Sequence, residues 1–183
     1  RKIQVEMKTD VVGLKKFLMN EFGLKMVTSS DILGLSTKVH LFGEYTLPEL
    51  VEDLETQLNI WFTVRGDKVY VSETKEIMLE NKRDGEFTID FSKASSASTG
   101  AESDSETAET GFSFALKDYS AETFLDNLKT NFEKVTFKKS YSGFIVAEVR
   151  PQDYKSITDY FKNIEKRHEM ITGEIVLLNL KKS

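Results

Sequence analysis

No cysteine occurs among the 183 residues, which excludes disulfide frameworks, thiolate metal sites and cysteine nucleophiles. Histidine is nearly as scarce, with His40 and His168 the whole complement. Neither stands in an HxxxH or HExxH spacing, so a metal centre would need carboxylates gathered from distant positions, and none is expected. No apolar run approaches the ~18 residues that a membrane-spanning helix needs. The glycine patterns of phosphate cradles, dinucleotide sites and nucleophile elbows do not occur, so no cofactor site and no catalytic residue is expected. Positive charge is also in short supply. The net charge is −5 and the isoelectric point about 5.2, which argues against a general nucleic-acid binder.

What is present is ordinary globular material, with 39% hydrophobic and 30% charged residues. That is enough for one mid-sized domain or two small ones. The chain starts at Arg1 without a charged-then-apolar leader, which reads as a processed chain or a fragment. The clearest boundary is residues 92–110, SKASSASTGAESDSETAET. This stretch holds no apolar side chain larger than Ala, and Glu102, Asp104, Glu106 and Glu109 face only Lys93. It reads as a flexible linker, because it cannot bury enough surface to offset its ordering entropy.

Before the linker the pattern reads strand, helix, strand, strand, helix, strand, strand. Ile3, Val5 and Met7 alternate with polar residues, as in a half-buried strand. Asp10 is placed to cap a helix whose apolar face is Val11, Leu14, Leu18 and Phe22, and Gly23 ends it. A short strand at 25–27, a polar turn at 29–34 and a strand at 37–41 follow. Thr46 and Glu49 form a capping box for a helix with Leu47, Leu50, Val51, Leu54 and Leu58 on one face. Glu49, Glu52, Asp53 and Glu55 fall mostly on its other side and read as a solvated face. Strands at 60–64 and 68–71 flank Arg65-Gly66-Asp67, which is the chemistry of a tight turn before it is an adhesion tripeptide. Of Trp61 and Phe62, one should face the core and the other the opposite side. Two further strands are expected at 76–79 and 87–91, with Asp84-Gly85 as their turn.

After the linker the same grammar returns. A strand at 112–116 precedes a helix opened by Ser120 and Thr123, with Phe124, Leu125, Leu128 and Phe132 as its stripe. Strands at 135–138 and 144–149 join through Ser140-Tyr141-Ser142-Gly143. Pro151 suits the first turn of a helix carrying Tyr154, Ile157, Tyr160, Phe161 and Ile164. Gly173 marks its exit, and 174–180 reads as a closing strand. The expected fold class is therefore α+β, with two small βαββαβ-type domains whose helices pack on small mixed sheets. The expected domains are 1–91 and 111–183. The second is ordered like a KH module, yet it lacks the GXXG loop, and its 12 basic and 10 acidic residues nearly cancel.

The segment VEMKTDVVGLKKFLMNEFGLKMVTSSDILG, with TKVHLFGEYTLPELVEDLETQLNIWFTVRGDKVYVS after it, resembles the short N-terminal domain of secretins and TonB-dependent transducers. Gly23-Leu24, Gly34, Leu47, Leu50 and Leu54 carry that likeness. FIVAEVRPQDYKSITDYFKNIEKRHEMITGEIVLLNLKKS resembles the KH-like ring-building domain of secretins, with Pro151 and the run Ile175, Val176 and Leu178 as landmarks. A serine-rich stretch between the two is similar to secretins of the type IVb pilus kind. The resemblance implies a non-enzymatic periplasmic portion of an outer-membrane protein, used for pilus biogenesis or protein secretion. It implies self-association into a ring, docking of inner-membrane or periplasmic partners, and membrane contact only through a C-terminal gate domain, whose start the last strand would form. Interface candidates are Lys138, Lys139, Tyr141, Lys162, Lys166 and Arg167. A signalling or adaptor module of an outer-membrane transducer is the alternative, although such transducers lack the second domain.

Overall fold

The computed structural model describes residues 1–83, 86–91, 112–115, 121–139 and 144–164. The chain has an α+β fold that divides into two compact units at Lys75/Glu76, with Arg150–Gln152 counting with the first.

The first unit runs β1 (Ile3–Thr9), α1 (Val11–Phe22), β2 (Lys25–Val27), α2 (Ser30–Leu33), β3 (Val39–Tyr45), α3 (Leu47–Leu58), β4 (Trp61–Arg65) and β5 (Lys68–Ser72). Local chemistry sets the element ends. Asp10 accepts the Gly13 N–H at 2.9 Å and starts α1. Gly23 then ends α1 at φ 65°, where any side chain would be strained. Thr46 and Glu49 close both halves of a capping box on α3. Gly66, at φ 59°, turns β4 back onto β5. The expected polar turn at 29–34 is instead the one-turn helix α2. Ser29 caps it through the Ile32 N–H, and Ile32 is buried.

Two sheets, not one, cover the helices. Strands β1 and β3 pair antiparallel over seven residues, so β3 extends well past the expected end at 41. The order of the other sheet is β2-β5-β4, with β2 parallel and β4 antiparallel to β5. A single core joins them: Leu14 and Leu18 of α1, Leu50 and Leu54 of α3, Leu41 of β3 and Val69 of β5 are almost wholly excluded from solvent. Burying each such side chain contributes roughly 1.5–3 kcal/mol. Phe62 joins this core. Trp61 points the other way and lies under Lys75 Nζ, 4.8 Å from the ring centroid.

The second unit is built on a five-stranded sheet of order β8-β7-β6-β10-β9. Its strands are β6 (Lys75–Arg83), β7 (Glu86–Phe91), β8 (Phe112–Ala115), β9 (Phe137–Lys139) and β10 (Ile145–Val149). Helix α4 (Ala121–Asn131) lies between β8 and β9, and residues 151–164 form α5. The expected boundary at 91 is therefore misplaced. Strands β6 and β7 pair with each other, and β7 pairs with β8, so the hairpin belongs to this sheet and the opening run of the first unit ends at Lys75. Buried Phe124 of α4 stacks on Phe161 of α5 with centroids 4.6 Å apart. Leu128, Phe137, Ile145 and Ile157 are buried in the same unit, as are Ile77, Leu79 and Ile89. The linker at 92–110, the turns at 84–85 and 140–143, and the closing strand at 174–180 lie outside the described residues.

Candidate functional site

The sequence pattern gives α1 two faces. Val11, Leu14 and Leu18 point into the core. Val12, Lys15, Lys16 and Met19 stand at i, i+3, i+4 and i+7, which is a second stripe along the same helix. This second stripe meets Lys25 and Met26 of β2 across a groove of about 510 Å³. Val12 is 45% exposed and Met19 46% exposed, two of the three large apolar side chains left in solvent among the described residues. Exposed apolar surface grouped in one concavity and rimmed by charge is the usual form of a docking site.

The charge is of one sign. Lys15, Lys16 and Lys25 line the groove, and no acidic side chain does. No described residue forms an ion pair with any of the three. Their aliphatic stems extend the apolar floor while the ammonium groups stay in water. Among the described residues strand β2 is an end strand of its sheet, with β5 its one neighbour. Sequence reasoning missed this groove. Val12, Met19 and Lys25 each look like ordinary surface, and only the packing of α1 beside β2 brings them together.

The edge of β3 is built differently. Gln57 on α3 accepts the His40 N–H and donates to the His40 carbonyl, so its carboxamide fills the place of a pairing strand. Asp53 fixes that carboxamide by accepting from Gln57 Nε2 at 3.0 Å, and it also accepts the Tyr45 hydroxyl at 2.9 Å. Asp53 is thus more than part of a solvated acidic face. The Asp53 carboxylate beside it, together with partial burial, holds the Tyr45 phenol above its usual value near 10. The arrangement braces a sheet edge.

Of the interface candidates, Lys138 and Lys139 are exposed on β9, which ends the five-stranded sheet among the described residues, paired with Val146 and Ile145 of β10. Lys162 is exposed on α5. Tyr141, Lys166 and Arg167 lie outside the described residues. Among the described residues no group of three His, Asp or Glu side chains is placed to hold a metal ion. Among the same residues no helix is long and apolar enough to cross a membrane.

Comparison with models of known protein families finds no match to this chain, and none of the curated proteins matches it significantly.

Proposed function

We propose that this chain is a non-enzymatic periplasmic scaffold segment of an outer-membrane secretin, serving type IV pilus biogenesis or protein secretion. The second unit packs beside further copies of itself around a ring, and the first unit docks inner-membrane or periplasmic partners. Head-to-tail contacts of this kind close into a ring when the rotation between neighbours allows it.

The observation that carries the reading is the groove between α1 and β2. A unit with a closed hydrophobic core nonetheless leaves Val12 and Met19 in solvent beside three lysines. That is a surface suited to binding another chain. The order of elements over Val5–Ser72 supports the resemblance, with Gly23 ending α1 and Leu50 and Leu54 buried on α3. Strand β9, the end strand among the described residues, with Lys138 and Lys139 exposed, offers an edge at which copies of the second unit meet.

Site-specific photo-crosslinking in cells tests the proposal. A photoreactive side chain at Lys138 is expected to join two copies of the chain in the envelope fraction. Recovery of the chain in the cytosol without such a product overturns the reading. Envelope localisation with crosslinks from Met19 to an inner-membrane protein, but none from Lys138 to a second copy, indicates a transducer's adaptor module instead.

A further inference from the structure

We infer that the α1–β2 groove takes an extended, acidic segment of a partner protein, laid beside β2 with apolar side chains down and carboxylates at the lysine rim. The inference rests on the reading of the first unit as a docking module and names the chemistry of what docks.

Three observations point to this occupant. The floor is apolar, from Val12, Met19 and Met26, and the rim is Lys15, Lys16 and Lys25 with no acid among the lining residues. Charge complementarity therefore selects a chain carrying Asp or Glu. The stripe from Val12 to Met19 is about 10 Å long at helical rise, close to the ~10 Å spanned by three strand residues. Strand β2 has that length, three residues. An extended segment alternates its side chains, so apolar residues at every second position fall on the floor and acidic ones between them reach the ammonium groups. Finally, β2 ends its sheet, and no described residue pairs with its outer side. On β3 the Gln57 carboxamide occupies the equivalent main-chain groups at His40. The fold thus braces one edge and leaves the groove-side strand without such a brace among the described residues.

The test uses the whole chain, labelled with nitrogen-15, and two synthetic probes, acetyl-Glu-Val-Glu-Leu-Glu-Val-amide and its Lys-for-Glu counterpart. The acidic probe is expected to shift the amides of residues 12–20 and 25–27, and the basic probe to leave them in place. Lys15→Glu combined with Lys25→Glu is expected to weaken the acidic probe at least tenfold and to admit the basic one. Both substitutions are at exposed positions, and circular dichroism verifies that the variant remains folded. Equal shifts from both probes, or none at these amides, overturn the inference. So do shifts of these amides with protein concentration alone, which would make a second copy the occupant. Binding that appears only after deletion of residues 101–110 would make the chain's own acidic stretch the occupant, and likewise overturns it. The Lys138 crosslink is read from the second unit, so failure of the groove and failure of the scaffold reading are told apart.

Discussion

The side-chain amide of Gln57 and the main chain of His40 form two hydrogen bonds, N–H to Oε1 at 2.8 Å and Nε2 to carbonyl at 2.7 Å. The pair reproduces, with one side chain, what a neighbouring strand would supply. An unpaired edge is a template for unwanted pairing, and natural sheets block such edges. Replacing Gln57 by Leu removes both bonds. Because the groups are accessible to water, the loss should be about 0.5–1.5 kcal/mol, read from urea unfolding. The variant should also self-associate more readily at high concentration. Unchanged stability together with unchanged sedimentation would show that Gln57 does not guard the edge.

Tyr45 gives a pH dependence with a definite sign. Its phenol is held above the ordinary value near 10, first through the hydrogen bond to Asp53. The fold therefore favours the neutral phenol. That contribution is whole below the unfolded value and is lost as pH rises through the higher folded one. The parent chain should lose stability above pH ~10 more steeply than Tyr45→Phe, measured by chemical denaturation at a series of alkaline pH values. Parallel curves would remove the Tyr45–Asp53 bond from the account.

In the second unit, Thr88 is 4% exposed, and its hydroxyl has no hydrogen-bond partner among the described residues. A buried hydroxyl left unpaired costs about 1–3 kcal/mol. Thr88→Val keeps the shape and removes the group, so it should raise stability by about 1 kcal/mol. A melting temperature lower than the parent's would mean that the hydroxyl is satisfied in solution.

Phe124 and Phe161 stack at 4.6 Å in the same unit, both almost fully buried. Either change to Ala should cost about 3–5 kcal/mol. A double-mutant cycle should return a coupling of about 0.5–1.5 kcal/mol for the stacked pair. Additive single effects would show that the rings pack without a specific interaction.

Local signals were legible in the sequence. Asp10, Gly23, the Thr46–Glu49 box and the Arg65-Gly66-Asp67 turn each act within a few residues, and each stands where the sequence placed it. What escaped was set by distant pairing. The strands expected at 76–79 and 87–91 are strands, with β6 running on to Arg83, but their sheet was not legible. That choice depends on β8 and β10, which follow much later in the chain. The second sheet of the first unit was missed for the same reason, since β2 pairs with β5 over about forty intervening residues. Gln57 carries no signal in the sequence, and its role exists only because α3 lies against β3. The groove was illegible because Met19 and Lys25 have no sequence relation that marks them as neighbours.

The scaffold reading is tested most directly by weighing the assembly that the protein forms in its natural setting. The full natural protein would be extracted gently from the envelope and measured by native mass spectrometry. The account predicts a closed, many-copy particle that falls apart when the β9 edge is altered by Lys138→Glu with Lys139→Glu. A single-copy species of unchanged mass in both proteins would contradict it.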